Sequence, residues 1–353
     1  MSVYSDVYQF RGTHFEFGLE QGKKLKQSTL LKNRVKQFQH REKRHFQTDV
    51  NEAEKLLNRF APELLDELAG LAEGLDWSID QAMRYFSGYY FEYGKSGCSI
   101  VTGENYLVRN YDSHPSGYDG RVVLYQPTDG GYGSLGPSMF VTGRTDGMNE
   151  KGLVVGYNFT NRIGAGDGFI CHTIARILLE KAANVSEAID LLQSMPHRTS
   201  FSYVLFDKNH QSKIVEATPR SVVTRDSLAC TNHFHHLTEE NRYQNDESIQ
   251  RLEQIHKKWN PHQSPQNAYQ ALNQKRASIF QTTYKKWSGT LHTTLYEPDK
   301  LTMRISLGAD RQPVLLDFNQ FLKGEKVWVK KIYGELETNH RFLNDELLHL
   351  DKN

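Results

Sequence analysis

Apolar residues recur at helical spacing in the first quarter of the chain. Leucine, phenylalanine and alanine repeat every three or four positions across residues 56–72, and Pro62 falls where a new helix should begin. Two capping-box patterns predict further helix starts, at Thr13 with Glu16 and at Ser78 with Gln81. Residues 1–97 are therefore predicted to be mainly helical after a short extended start.

The pattern changes at Cys98, where short runs of β-forming residues separated by Gly, Asn and Asp replace the helical spacing. The predicted strands of this part are Ser99–Thr102, Tyr106–Arg109, Val122–Tyr125, Met139–Thr142 and Leu153–Tyr157, with a hairpin turn at Asn149–Gly152. Two helices are predicted next, Ile170–Lys181 and Val185–Gln193, the second with Ser186 as N-cap. This part is predicted to begin with an antiparallel sheet.

Strands resume after the two helices. The predicted strands are Phe201–Phe206, Lys213–Glu216, Ser221–Arg225, Thr290–Tyr296 and Lys300–Leu307, with a polar, helical or irregular stretch over residues 235–281. Strands, then helices, then strands again favour an α+β fold in layers over a parallel βαβ sheet.

Composition excludes several classes of protein. Lys and Arg number 43 against 42 Asp and Glu, so no global charge points to nucleic acid or to an anionic membrane. No signal-like segment begins the chain and no apolar run approaches the roughly 18 residues needed to span a bilayer, which predicts a cytoplasmic protein. The three cysteines are widely spaced, so neither a disulfide framework nor a cysteine zinc site is expected. The expected partner is a small molecule.

The dipeptide Gly97-Cys98 opens the β-rich part and has specific chemistry available to it. A glycine carbonyl is open to attack by the neighbouring thiol, and an N-to-S acyl shift followed by hydrolysis would leave Cys98 with a free α-amine. That amine, with a pKa of about 8, can act as the base for the thiol. Because Gly-Cys is common and a single Cys more often packs in a core, the other residues of the site must support the assignment.

Arg109 and Asp112 provide that support. The strand that contains Arg109 should pair antiparallel with the Cys98 strand through a turn at Gly103-Glu104, which returns both side chains toward Cys98. A carboxylate there could hold the α-ammonium, and a cation would favour the thiolate. A surface Arg-Asp ion pair is the alternative.

Several separated motifs together resemble one superfamily. Gly97-Cys98-Ser99 is followed by Arg109-Asn110-Tyr111-Asp112, Asp146-Gly147-Met148-Asn149-Glu150-Lys151-Gly152-Leu153, Tyr157-Asn158 and Cys230-Thr231-Asn232-His233. This order resembles that of the penicillin acyltransferase and choloylglycine hydrolase superfamily. The long leader that begins Gly12-Thr13-His14-Phe15-Glu16 is similar to that of the acyl-coenzyme A:6-aminopenicillanic acid acyltransferase branch.

The resemblance implies a four-layer αββα N-terminal-nucleophile sandwich with a helical N-terminal leader. It implies cleavage between Gly97 and Cys98 into a leader, residues 1–97, packed on a catalytic segment, residues 98–353, with the two fragments staying associated. By motif, Cys98 is the nucleophile, Asp112 holds its amine and Arg109 supports the site, while Asn158 and Asn232 would donate to an oxyanion. Arg276 is the candidate for the second arginine of choloylglycine hydrolases.

The predicted function is therefore a self-processing hydrolase of linear amide C–N bonds, or an acyltransferase, that works through a Cys98 thioester. No cofactor and no metal are expected; coenzyme A enters only as an acyl donor or acceptor, which the basic stretch of residues 23–44 could contact. Two alternatives remain: a non-enzymatic small-molecule-binding relative, and a metal hydrolase built on His233, His235 and His236. Each of these functions is compatible with a homo-oligomer.

Overall fold

The computed structural model describes residues 1–40, 48–89, 97–160, 165–242, 246–277, 279–345 and 347. The leader begins with strand β1 and continues as helices. Its elements are β1 (Ser2–Gly12), α1 (His14–Leu25), α2 (Thr29–His40), α3 (Val50–Phe60), α4 (Pro62–Leu75) and α5 (Ile79–Phe86). None of the helices in the described ranges is long and apolar enough to cross a membrane.

The catalytic segment begins with strands. Its first elements are β2 (Ser99–Thr102), β3 (Leu107–Ser113), β4 (Arg121–Pro127), β5 (Ser134–Met139), β6 (Gly143–Arg144), β7 (Asp146–Asn149), β8 (Val154–Phe159), α6 (Cys171–Lys181) and α7 (Val185–Ser194). The rest are β9 (Phe201–Phe206), β10 (Ser212–Ala217), β11 (Val222–Arg225), β12 (Ala229–Cys230), α8 (Asp246–Lys258), α9 (Pro265–Asn273), β13 (Thr282–Thr283), β14 (Ser288–Glu297), β15 (Thr302–Leu307), β16 (Val314–Asp317), α10 (Phe318–Leu322) and β17 (Lys331–Glu335).

Two sheets face each other across the main core. The larger sheet has the order β11-β10-β9-β8-β7-β5-β4-β1-β17, and the smaller has the order β12-β2-β3-β14-β15-β16. Apolar side chains of both sheets interdigitate between them, with Val122, Leu124 and Val204 from the larger sheet and Ile100, Leu107 and Ile305 from the smaller. Burial of these side chains from water holds the two layers together.

Helices cover the outer face of each sheet. On the larger sheet, Ile174 and Leu178 of α6 pack in one cluster with Val155, Leu205 and the leader residues Leu64 and Leu68. On the smaller sheet, Leu252 of α8 and Leu272 of α9 pack with Val108 and Leu295. The order helices, sheet, sheet, helices confirms the predicted αββα sandwich.

Most of the predicted helix ends are confirmed by their caps. Thr13 and Glu16 form the capping box of α1, and the Ser78 side chain accepts from the Gln81 N–H at the start of α5. The prediction of Ser186 as the N-cap of α7 is wrong, because Asn184 caps that helix by accepting from the Glu187 N–H at 3.0 Å.

The predicted strand Met139–Thr142 is also wrong, because β5 ends at Met139. Phe140 and Val141 adopt left-handed backbone angles, φ 52° and 69°. The buried Asp119 carboxylate accepts from the Val141 N–H at 2.9 Å, and this long-range contact stabilises a turn that the apolar run does not predict.

The extended start of the leader is longer than predicted and belongs to the larger sheet. Strand β1 pairs parallel with β4, from Asp6 opposite Arg121 to Gly12 opposite Pro127, and antiparallel with β17. The leader and the catalytic segment therefore share one sheet. The division into residues 1–97 and 98–353 remains a prediction, and residues 41–44 of the basic stretch lie outside the described residues.

Close packing of α1 on α4 depends on glycines at the crossing. A Cβ atom at Gly18 would overlap the carbonyl oxygen of Glu67, and one at Gly70 would overlap that of Phe15. We expect Gly18→Ala to lower the free energy of unfolding by about 1–3 kcal/mol, because the helices must move apart. Denaturant unfolding of the variant measures this; Gly117→Ala is the control, since its Cβ would meet only Trp287 at 3.5 Å. Equal effects of the two substitutions would contradict the prediction.

Candidate functional site

Cys98 lies immediately before β2 and is buried, with 1% of its surface exposed. Strands β2 and β3 form the predicted antiparallel hairpin, in which Ser99 pairs with Asn110 and Ile100 with Arg109. This register returns the end of β3 to the start of β2, which brings Arg109 and Asp112 to Cys98 as predicted. Gly97, the other residue of the predicted cleavage bond, is described and packs close to Ser288.

The Cys98 thiol has polar neighbours on β3. The Asp112 backbone N–H donates to Sγ at 3.4 Å, and the Arg109 guanidinium Nη2 donates to Sγ at 3.7 Å. Burial raises the pKa of the thiol, and the charge of Arg109 opposes that rise only in part. In the uncleaved chain, Cys98 is therefore a neutral thiol that needs a base before it can attack.

Arg109 is held in place by a buried carboxylate, Asp146 at the start of β7. Arg109 Nη1 donates to Asp146 Oδ1 at 2.9 Å, and its two Nη groups also donate to the carbonyls of Thr145 and Tyr157. Asp146 further accepts from Tyr296 at 2.7 Å and Thr294 at 2.9 Å. This network fixes the guanidinium beside the sulfur.

Asp146 was predicted only as part of a motif, although its contact with Arg109 makes it part of the site. Burial opposes its ionisation, but the neighbouring His292 and Arg109 and the hydrogen bonds outweigh burial and hold the pKa well below its ordinary value. The available sequence signal was its position at the start of the Asp146–Leu153 motif.

Asp112 has one satisfied and one free carboxylate oxygen. Oδ1 accepts from the Thr290 hydroxyl at 2.6 Å, whereas Oδ2 is buried and makes no hydrogen bond to any described residue. Burial raises the pKa of Asp112 to about 8, although Arg251 and Thr290 act in the opposite direction. A cation that formed beside Oδ2 would pair with the ionised carboxylate of Asp112.

Asn232 contacts the backbone of the predicted nucleophile directly. Its Oδ1 accepts from the Cys98 N–H at 2.8 Å, and its Nδ2 donates to the Phe159 carbonyl at 2.9 Å. An amide nitrogen carries two N–H groups, so one donor of Asn232 remains for another acceptor.

Asn158 contacts the strand that precedes Asn232. Its Nδ2 donates to the Cys230 carbonyl at 2.9 Å and to the Thr231 carbonyl at 3.2 Å, which uses both of its N–H groups. In this arrangement Asn158 positions the Asn232 segment, and Asn232 keeps one amide N–H without a hydrogen bond to a described residue. The oxyanion role of both residues remains a prediction.

Besides Arg109, the arginine near Cys98 is Arg251 of α8, and the suggestion of Arg276 for this second position is wrong. Arg251 is buried and its Nη2 donates to Asn232 Oδ1 at 2.5 Å, whereas Arg276 is exposed in a 3-10 turn. A sequence signal for Arg251 existed in the spacing of α8, where Ser248, Arg251, Leu252 and Ile255 form its buried face. Burial of an arginine on that face is costly unless its guanidinium is hydrogen-bonded, so the spacing indicates a polar partner in the core.

The other candidate side chains have local roles. The Glu216 carboxylate accepts from the backbone N–H groups of His235 and His236, and His233 Nδ1 lies 2.8 Å from Ser248 Oγ. Over the described ranges, no group of three or more His, Cys, Asp or Glu side chains is placed to hold a metal ion. Cys171 and Cys230 are buried in the two large apolar clusters.

The raised pKa of Asp112 predicts a pH-dependent stability. A group whose pKa is higher in the folded chain stabilises that state below its unfolded value, about 4, and this stabilisation is lost as the pH rises toward 8. In uncleaved Cys98→Ala protein, Asp112→Asn should therefore raise the free energy of unfolding more at about pH 8 than at about pH 5. Urea unfolding at the two pH values measures this; a benefit that is larger at the lower pH would contradict it.

One family profile and several solved structures match this chain. The family profile described as AAT: Acyl-coenzyme A:6-aminopenicillanic acid acyl-transferase matches residues 101–312. Penicillin V acylase from Agrobacterium tumefaciens is 17% identical, with a TM-score of 0.42 over 64% of this chain and 86% of its own. A mutant of conjugated bile acid hydrolase from Clostridium perfringens is 15% identical, with a TM-score of 0.42 over 69% of this chain and 99% of its own. Among the curated proteins, none matches.

Proposed function

Because the chain belongs to the acyl-coenzyme A:6-aminopenicillanic acid acyl-transferase family, a group of amide hydrolases and acyltransferases, we propose that Cys98 is its nucleophile and is released by self-cleavage after Gly97. The observation that carries this proposal is the convergence of Arg109, Asp112 and Asn232 on one buried cysteine that follows a glycine. The products would be a fragment of residues 1–97 and one of residues 98–353.

Self-cleavage would begin with addition of the Cys98 thiol to the Gly97 carbonyl carbon. The tetrahedral intermediate collapses with cleavage of the C–N bond as the proton from the thiol passes to the departing nitrogen. This moves the Gly97 acyl group from nitrogen to sulfur and leaves the Cys98 amine. Water then hydrolyses the thioester, so that Gly97 ends as a carboxylate and Cys98 regains its thiol. Asn232 supports this reaction, since the hydrogen bond from the Cys98 N–H to Oδ1 fixes the scissile peptide.

The new α-amine would give the enzyme its base. With a pKa of about 8, a useful fraction is neutral at physiological pH and can take the proton of the Cys98 thiol. As an ammonium it would pair with the carboxylate of Asp112, whose charge acts on Cys98 and whose Oδ2 has no hydrogen-bond partner among the described residues. Asp112 thus orients the amine, and Arg109 Nη2, 3.7 Å from Sγ, stabilises the developing thiolate.

Turnover of an amide substrate would follow the same chemistry. The thiolate attacks the substrate carbonyl, the oxyanion accepts the spare N–H of Asn232, and the departing amine takes a proton from the Cys98 ammonium. Water or a second amine then resolves the acyl-thioester. Hydrolysis and acyl transfer share this intermediate, and the acceptor that reaches it decides the product.

Trapping of the acyl-thioester tests the proposed function. Purified protein is mixed with a panel of N-acyl amides, quenched in acid and weighed by intact-mass spectrometry. The account predicts a residue 98–353 fragment that is heavier by one acyl group and loses it to hydroxylamine. An adduct on any other residue, or turnover that persists in Cys98→Ala, would overturn the proposal.

Arg251 provides a separate prediction with a matched control. Arg251→Gln removes the cation that binds Asn232 Oδ1 and should slow self-cleavage by about 10- to 100-fold, because the Cys98 backbone contact loses its orientation. Exposed Arg276→Gln should cleave at the wild-type rate. Timed denaturing gels after expression measure both, and equal rates for the two variants would contradict a role for Arg251.

A further inference from the structure

A stretch of chain at one edge of the larger sheet carries an exposed surface that is separate from the site described above. It comprises residues 323–333, here called the basic edge, which lead into β17, the outermost strand beside β1. Gln9 of β1 donates to the Val327 carbonyl at 2.6 Å and accepts from the Val327 N–H at 2.9 Å. The Val7 N–H donates to the Lys330 carbonyl at 2.9 Å. These bonds fix the basic edge to the sheet, so its outward side chains have a defined direction.

Two aromatic side chains of the basic edge are turned to solvent. Val327 and Val329 pack partly against the main core, so Trp328 between them points away from it. Trp328 is 82% exposed and Tyr333 is 71% exposed, more than any other large hydrophobic side chain among the described residues. Both rings would gain free energy if another surface covered them, because apolar area would leave water.

Lysines accompany the two rings. The basic edge contains four lysines and one glutamate. One of the lysines, Lys331, lies 3.6 Å from the Asp6 carboxylate. The other three form no ion pair with any described residue: Lys323, Lys326 and Lys330. All four side chains are exposed, so the surface carries an excess of accessible positive charge.

A protruding tryptophan among lysines favours one kind of partner. Lysines at a sheet edge commonly prevent strand pairing between chains, but that role does not need an exposed tryptophan. A side chain that is 82% exposed also lies outside any groove that could enclose a nucleotide base or a peptide side chain. Lys326 Nζ lies 5.7 Å from the centre of the Trp328 ring, so one surface can contact the cation and the indole together. The headgroup region of a bilayer provides such a surface, since it is charged outside and apolar beneath.

We propose that the basic edge binds the surface of an anionic lipid bilayer. Trp328 enters the headgroup region, where its apolar ring leaves water and its indole N–H keeps polar partners. Lys323, Lys326 and Lys330 attract anionic headgroups, and salt screens this attraction. The binding is peripheral and does not depend on the proposed function of Cys98.

Co-sedimentation of the purified wild-type protein with vesicles tests this inference. One set of vesicles contains equal parts of phosphatidylserine and phosphatidylcholine, and the other contains phosphatidylcholine alone. We expect at least about 10-fold tighter binding to the anionic vesicles, loss of that preference at high salt, and a blue shift of the tryptophan emission on binding. Absence of binding, or equal binding to both sets, would overturn the proposal. Tighter binding to a single-stranded oligonucleotide than to the anionic vesicles would also overturn it, because the surface would then be a nucleic-acid site.

Variants assign the binding to the basic edge. Trp328→Ala should weaken binding to the anionic vesicles by about 10-fold and remove the blue shift, and the double variant Lys326→Gln/Lys330→Gln should weaken binding by a similar factor. Lys257→Gln/Lys258→Gln, which removes two exposed lysines of α8, is the control and should bind like wild type. Circular dichroism checks that each variant is folded, and if one of the two test variants is not, the other decides the question. Vesicle affinity that is unchanged in every folded test variant, or reduced equally in the control, would contradict the site.

Discussion

Replacement of Cys98 by alanine is expected to leave the chain uncleaved and to reduce amide turnover by about 10^4-fold or more, since the variant lacks both the nucleophile and the step that creates its base. The thiol is the group that Arg109 Nη2 and the Asp112 N–H contact. Denaturing gels and an amine-release assay measure the two effects.

The other two cysteines are matched controls for this substitution. Cys171 and Cys230 are buried like Cys98, but the hydrogen bonds of Arg109 Nη2 and of the Asp112 N–H go to the Cys98 sulfur. Replacement of either by alanine should therefore cost about 1 kcal/mol of stability and leave self-cleavage intact. Loss of cleavage in Cys171→Ala or Cys230→Ala to the same extent as in Cys98→Ala would show that the loss reports on folding and not on chemistry.

Asp146→Asn is expected to produce the largest loss of stability. Asp146 is fully buried and joins Arg109 to the hydroxyls of Thr294 and Tyr296. Its neutralisation leaves the Arg109 charge without a counterion, which should lower the free energy of unfolding by about 3–5 kcal/mol. Denaturant unfolding in a Cys98→Ala background measures the effect without interference from cleavage.

The exposed Asp299→Asn is the control for Asp146. Asp299 pairs with exposed His210 at 2.9 Å, and its replacement should change stability by less than about 0.5 kcal/mol. The lowered pKa of Asp146 also predicts how stability depends on pH. The ionised carboxylate stabilises the folded chain fully above its unfolded pKa, about 4, and this stabilisation is lost as the pH falls below that value. Asp146→Asn protein that is as stable as Asp299→Asn protein would contradict the network.

Local features of the fold were predictable from the sequence, because neighbouring residues determine them. The capping boxes at Thr13 and Ser78, the helix start at Pro62 and the hairpin at Gly152 depend on a few adjacent side chains. The hairpin between β2 and β3 is likewise determined by neighbouring residues, since its register follows from its short turn. For this reason the approach of Arg109 to Cys98 could also be predicted.

Features that depend on distant parts of the chain were not predictable. Strand β1 joins the larger sheet by pairing with β4, more than a hundred positions away, and the turn at Phe140 is stabilised by Asp119. Arg251 reaches the site because α8 packs on the smaller sheet, whereas Arg276 lies on an exposed turn. Such contacts are decided by tertiary packing, which neither spacing nor local propensity records.

Intact-mass analysis with N-terminal sequencing of the purified wild-type protein tests the central claim most directly. The account predicts two fragments, residues 1–97 and residues 98–353, with cysteine as the first residue of the larger one, and a single uncleaved chain for Cys98→Ala. A wild-type chain that remains whole, or that is cut at any other bond, would contradict it.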